Sequence, residues 1–251
     1  SIQAVWDDDL IVVAHQKYLS IYYVTEESNL IACIQQPDDV KQIVVGALGD
    51  DMLVISACLD SGPVISNLWN LDVPKIQASR GRTREGSGMA LDVDWQKRRI
   101  ITGTARGVLQ LWRFSAGEIW HDKDLLQQGR QPDIRAIAAH WCEDRAITAS
   151  SDGALRLWDL HGGSVISQIS GHRDVIWSVS ADFDFDGGQV CSAGFDGTVK
   201  LWRIKDHIEL ISEMPQSTKE TCMVTSIIPA GAAACQLLNS LGPHEDLPVS
   251  R

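Results

Sequence analysis

No stretch of this 251-residue chain approaches the run of about 18 apolar residues that a membrane-crossing helix needs, and its first residues do not read as a basic-then-apolar leader. A membrane role is not expected. The phosphate-cradling loops G-x-x-x-x-G-K-[ST] and G-x-G-x-x-G are missing, as are the G-x-S-x-G elbow of serine hydrolases and the H-E-x-x-H of zinc peptidases, so nothing here recommends catalysis or a cofactor. The six cysteines form no C-x-x-C pair, and Cys58 and Cys191 fall in expected strands, which favours free thiols in a reducing compartment, cytoplasmic or nuclear. Positive charge is the scarcer sign: 22 Lys and Arg stand against 33 Asp and Glu, a net charge of −11. The field of the whole chain therefore repels nucleic acid and anionic membrane, leaving other proteins or peptide segments as the expected partners. Long stretches of helical period 3.6 are also missing.

What the chain has instead is a repeated cassette. SDGALRLWDL at 151–160 and FDGTVKLWRI at 195–204 match class by class. An Asp-Gly pair favours a tight turn because both residues tolerate positive φ, and the alternating apolar residues after it predict a strand with one buried face. Looser copies are ARGVLQLWRF, DSGPVISNLWNL and QKYLSIYYV. Their anchoring aromatics Tyr22, Trp69, Trp112, Trp158 and Trp202 are separated by 47, 43, 46 and 44 residues. An apolar strand precedes each turn, and upstream of three of these lies another, in SGMALDVDW, DIRAIAAHW and DVIWSVSADF. Three strands plus room for a fourth, repeating every 40 to 45 residues, predict the blades of a β-propeller.

At these residues the chain resembles the WD-repeat family of propellers. The fifth unit carries the likeness best, with Gly171-His172 followed 24 residues later by Asp196 and then by Trp202. The resemblance implies that His172, Ser192, Asp196 and Trp202 form a buried hydrogen-bonded set. The fourth unit keeps Thr148, Asp152, Trp158 and Asp159 without the Gly-His; the third has Thr102 and Trp112 with Arg106 where the Asp belongs; the second has Ser56, Asp60 and Trp69. The expected fold is all-β: a propeller of four-stranded antiparallel blades, five to six of them present. Since the family usually has seven, the chain is expected to be part of a longer, seven-bladed protein. The blades are placed near 1–30, 31–73, 87–116, 133–162 and 171–206, with a partial sixth at 207–229 and a divergent tail at 230–251.

Four features have competing readings. His172, Ser192 and Asp196 together look like a hydrolase triad, but partial copies recur at the same phase of other units, as a structural device would. DFDFDGG at 182–188 opens like a calcium loop, yet its twelfth position is Ala193 where a bidentate Glu is needed, so an acidic surface turn is expected and no metal. PKIQASRGRTREG at 74–86 gathers Lys75, Arg80, Arg82 and Arg84, either as a solvated loop or as a docking site for acidic peptide, phosphate or RNA. Trp6, Trp95 and Trp141 sit at turns and are expected to pack across neighbouring blades. In the family, partners are usually met on the face bearing the turns and inter-blade loops, where the matching positions are Arg106, Arg135, Ser151, Arg173, Trp177 and Phe195. Trp177 could equally be buried between blades. The expected role is a non-catalytic interaction scaffold or adaptor, with an RNA or phospho-ligand propeller working through 74–86, and a metal-dependent propeller enzyme, as the rival readings.

Overall fold

A computed structural model describes residues 1–5, 9–24, 29–67, 77–78, 88–115, 118–125, 132–183, 188–205 and 207–215. Among them every regular element is a strand, and the strands form five antiparallel sheets of four, each a simple meander. The first holds β1 (Ile2–Val5), β2 (Leu10–His15), β3 (Tyr18–Tyr23) and β4 (Asn29–Gln35). The second holds β5 (Val40–Leu48), β6 (Asp51–Cys58), β7 (Gly62–Asn67) and β8 (Gln77–Ala78), and the third β9 (Gly88–Asp94), β10 (Arg99–Thr104), β11 (Leu109–Ser115) and β12 (Glu118–Leu125). The fourth is β13 (Ile134–His140), β14 (Arg145–Ser150), β15 (Ala154–Asp159) and β16 (Ser164–Ser170), and the fifth β17 (Ile176–Asp182), β18 (Gln189–Gly194), β19 (Thr198–Ile204) and β20 (Ile208–Pro215).

The first strands lie side by side, β1 by β5, β5 by β9, β9 by β13 and β13 by β17, so they are the inner strands of five propeller blades. Among the described residues no strand of the first sheet pairs with the fifth, and the ring is not closed.

Hydrophobic burial sits between the sheets. Val12, Leu19 and Ile21 meet Val40, Met52 and Val54; Leu53, Ile55 and Ile65 meet Ile100, Trp112 and Phe114. Ile101 and Leu109 meet Ile137 and Trp158, and Ile147, Leu155 and Leu157 meet Ile176, Val190 and Trp202. Neighbouring residues of one strand therefore serve opposite cores, Met52 and Val54 behind, Leu53 and Ile55 ahead. This corrects the expectation of strands with one buried face: β15 is buried along Ala154–Trp158, because a central blade is covered on both sides.

The blade boundaries also differ from the sequence reading. Each outer strand follows the turn-strand-Trp cassette, so the sheets run 2–35, 40–78, 88–125, 134–170 and 176–215. The stretch read as the opening of a sixth blade is, over Ile208–Pro215, the fourth strand of the fifth, paired with β19. The outer strands escape a search for apolar runs because one face meets water; β16 alternates half-buried and exposed residues along its length. Trp6, Trp69, the basic loop residues Lys75, Arg80, Arg82 and Arg84, the Asp184 and Asp186 part of the acidic turn, and 216–251 lie outside the described residues.

Candidate interaction face and the network beneath it

The anchor tryptophans are almost completely buried: Trp112, Trp158 and Trp202 are each 1% exposed. Each ring covers the preceding blade and its Nε1–H donates across to the second strand, to Thr102 Oγ1 at 2.9 Å, Thr148 Oγ1 at 3.0 Å and Ser192 Oγ at 2.7 Å. A buried indole needs a partner for its N–H, and the β-branched or small hydroxyl residue ten positions earlier supplies it. Tyr22, the first blade's anchor, is half-buried on the face turned away from the second sheet.

In the fifth blade the network extends to the turn. His172 Nε2 lies 2.7 Å from Ser192 Oγ, and His172 Nδ1 lies 3.0 and 3.1 Å from the two Asp196 oxygens. Asp196 also accepts from the backbone N–H of Arg173 at 2.8 Å and from the N–H and hydroxyl of Thr198 at 3.1 and 2.8 Å. Burial would raise the Asp196 pKa, but these donors outweigh it and hold the carboxyl at about 2. Burial lowers the His172 pKa, and Asp196 offsets only part of that. The glycines of this unit are steric requirements: a Cβ on Gly171 would collide with the Trp202 ring, and one on Gly194 with His172 Nδ1.

Other blades solve the same position differently. In the second, Gln36 takes the histidine's place: its Oε1 accepts from Ser56 Oγ at 3.0 Å and its Nε2 donates to Ser66 Oγ at 3.2 Å. Ser66, ten residues after Ser56, therefore holds the position assigned above to Trp69, which is a correction to the sequence reading. In the fourth blade Asp152 is held by Arg156, with Nη2 at 2.6 Å and Nη1 at 3.2 Å, and the guanidinium, against the burial that would raise it, keeps that carboxyl below its ordinary range. In the third, Thr104 Oγ1 accepts from the N–H of Arg106 and Val108, closing the turn without an acid. Gln36 was legible: it precedes Asp60 by the same 24 residues that separate His172 from Asp196.

The turns between second and third strands share one end of the molecule with the inter-blade loops, because Leu59 N–H donates to Asp39, Ser151 N–H to Asp133 and Phe195 N–H to Val175. At this end Arg106 and Arg173 are exposed, Phe195 is 60% exposed and Trp177 42%, while Ser151 and Arg135 are half-buried. Trp177 thus faces solvent on this end, with the Arg135 guanidinium 5.2 Å from its ring centre and Arg135 Nη2 donating to Asp133 at 2.7 Å.

At the opposite end the aromatics are used between blades. Trp95 fills the space over Gly46, where a Cβ would strike its ring, and Trp141 lies under Arg99 at 4.9 Å. Arg99 also pairs with Asp94 at 3.1 Å and Asp144 at 2.6 Å, joining the third and fourth blades. Asp92, accepting from Ala139 N–H of the next inner strand at 2.8 Å, is pushed up to about 6 by burial. Among the described residues no group of His, Cys, Asp and Glu has the geometry to hold a metal ion.

Against known proteins, the sequence model of the WD domain, G-beta repeat, matches residues 124–159 and 163–203. Over these residues the chain carries two WD repeats. The second matched repeat begins near the outer strand β16 of one blade and ends in β19 of the next, so the sequence repeat is offset by one strand from the sheets. WD repeats generally mediate binding to other proteins or peptides, and propellers built from them are typically non-catalytic. No curated protein matches the chain significantly. Among solved structures, that of the computationally designed Ika8 protein is similar, with a TM-score of 0.62 and 17% identity over 86% of this chain. The match spans 62% of that designed chain, and at this identity the likeness is one of fold.

Proposed function

We propose that this chain is a non-catalytic scaffold that holds peptide segments or domains of other proteins on the turn-bearing end of its fourth and fifth blades. The observation that carries the reading is the contrast within the fifth blade: its polar frame is hydrogen-bonded internally, while Phe195 at 60% exposure, Trp177 at 42% and the exposed Arg173 stand directly on it. Large aromatics and arginine are the residue types that dominate binding energy, and a rigid platform keeps the entropic cost of presenting them small. The triad reading is disfavoured by access. Ser192 is 1% exposed and its Oγ already accepts from Trp202, so no substrate carbonyl can reach it. Among the described residues Cys33, Cys58, Cys142 and Cys191 form no disulfide, and burial pushes Cys58 up to about 11, which fits a protein working in the cytosol or nucleus.

The test is a double substitution, Arg173→Ala with Phe195→Ala, in otherwise intact protein. The melting temperature should be unchanged, since both side chains are exposed, and the proteins that co-purify should be lost. An unchanged partner set that disappears instead on replacing Arg80, Arg82 and Arg84 would move the binding site to the basic loop.

A further inference from the structure

The inner strands share an irregularity at the turn-bearing end. In four blades the first strand holds one residue more than its partner: Lys41 falls between the pairs Val40–Cys58 and Gln42–Ala57, and Met89 between the positions opposite Thr104 and Gly103. Arg135 falls between the pairs Ile134–Ser150 and Ala136–Ala149, and Trp177 between Ile176–Gly194 and Ser178–Ala193. Along a regular strand the side chains of one face are two residues apart, and the extra residue of a bulge makes one of those steps three. The residues turned toward the preceding blade are accordingly Val40, Ile43 and Val45, then Ile134, Ile137 and Ala139, then Ile176, Val179 and Ala181. A step of three followed by a step of two marks an inner strand in this chain.

The surface that receives such a strand is equally uniform. The fourth blade offers Ile147, Ala149, Leu155 and Leu157 to the fifth, each of them 0% exposed. The small residue of the set lies under the opening of the arriving strand: at Gly103, the counterpart of Ala149 in the third blade, a Cβ would strike Ile134 and crowd Ile137. Counted from Ser192 and Trp202, the same set in the fifth blade is Cys191, Ala193, Val199 and Leu201, paired as Cys191–Leu201 and Ala193–Val199. These four point away from the fourth blade, because their neighbours Val190 and Trp202 point into the core shared with it. None of the four belongs to an inter-blade core among the described residues, and the fifth sheet meets the fourth through β13, β14 and β16. Yet Cys191 is 8% exposed and Ala193 3%, with Val199 and Leu201 half-buried.

We propose that this face is covered by the chain's own residues 224–229, docked as the inner strand of a sixth blade with Val224 and Ile227 over Ala193. Beyond Pro215 the sequence repeats the mark at the right distance: Val224, Ile227 three residues on, and Pro229 two further. The openings Val40, Gly88, Ile134 and Ile176 follow one another by 48, 46 and 42 residues, and Val224 follows Ile176 by 48. Eight residues separate Pro215 from Val224, as eight separate Leu125 from Ile134. Val224, Thr225, Ile227 and Ile228 are β-branched and suit a pleated, half-covered strand, and Pro229 is tolerated because an inner strand has one unpaired edge. The sixth blade then opens at Val224, not at 207 where the sequence reading placed it.

The experiment is native alkylation of the full chain with N-ethylmaleimide, read residue by residue by peptide mass. Exposed Cys142 should label first, and Cys191 should be protected together with Cys58, which is 0% exposed in the core between the first and second blades. Ile227→Asp sets a charge against the apolar face and should speed labelling of Cys191 by about tenfold while Cys58 keeps its protection, and Ile227→Leu should leave both as in the parent. Labelling of Cys191 as fast as Cys142 in the parent, or a rate that Ile227→Asp does not change, would overturn the proposal. Where the aspartate also releases Cys58, a disulfide decides. Ala193→Cys with Val224→Cys, placed as Gly103 and Ile134 are, should cross-link on mild oxidation, whereas Ala193→Cys with Thr225→Cys should not, because Thr225 takes the bulge position. Failure of the first pair to cross-link, or equal yield from the two pairs, would overturn it.

Discussion

In the fifth blade an imidazole joins a serine, an aspartate and a tryptophan; in the second an amide joins two serines at the same positions, and the aspartate, Asp60, stands exposed outside the set. Gln36 and His172 are both buried, both sit just before an inner strand, and both reach the hydroxyl of the second strand. A site that accepts an imidazole or an amide with no change of role is selected for shape and hydrogen-bond satisfaction. A catalytic base could not be exchanged for an amide. The difference lies in reach: the histidine network ties loop, turn and two strands together, whereas the glutamine network ties loop to strands and leaves the turn to itself.

The sharpest way to break this comparison is at the anchor. Trp202→Ala empties the space between the fourth and fifth blades and leaves Ser192 without its donor, so unfolding in urea should show a loss of about 3–5 kcal/mol. Ser66→Ala at the equivalent point of the second blade removes one hydroxyl that accepts from Gln36, and should cost about 1 kcal/mol. Equal losses at the two sites would mean that the second blade's network carries as much as the tryptophan, and the ranking of the blades would be wrong.

The turn aspartates come next. Asp196→Ala removes the acceptor of Arg173, Thr198 and His172 and should lower stability by about 1–3 kcal/mol. Asp60→Ala, at an exposed turn, should stay within about 0.5 kcal/mol. Thermal melts of the pair decide it: a full-sized loss at Asp60 would show that the second turn depends on its acid after all.

These contrasts also mark what could be read from the residues alone. In the fourth and fifth blades the cassette from turn to tryptophan was legible because it combines an Asp-Gly turn, period-2 alternation and a closing aromatic, three signals that agree. The outer strands were not, because a strand such as Glu118–Leu125, with one wet face and charges along it, has no apolar run to find. In the second blade the eye goes to Trp69, while counting ten residues from Ser56, as from Thr102, Thr148 and Ser192 to their tryptophans, leads to Ser66. The bulges at Lys41, Met89, Arg135 and Trp177 left no trace in composition, since a bulge is a property of register between two strands, and the uneven apolar spacing it produces reads as a bulge only once the pairing is known.

The smallest effect tests the exchange of imidazole for amide directly. His172→Gln gives the fifth blade the side chain of the second, and at pH 8 it should cost about 1 kcal/mol, because an amide can still meet Ser192 but holds Asp196 less well. The pH dependence is the finer probe. Burial holds the His172 pKa below its ordinary value, so the unfolded chain takes up the proton first, and this part of the stability is lost as pH falls below the ordinary histidine range. Asp196, held at about 2, contributes fully above the ordinary carboxylate pKa, and its share is lost only as pH falls toward 2. Asp92 works the other way: pushed up to about 6, it binds its proton first in the folded chain, so stability is regained as pH falls through 6. The slope of either protein alone mixes these contributions, but subtracting the variant's stability from that of the parent cancels Asp92 and leaves the imidazole. That difference should shrink steadily from pH 8 to pH 5 in parallel urea titrations. A difference that stays flat would show that His172 has the same proton affinity folded and unfolded, and that its burial against Trp202 does not bias its charge.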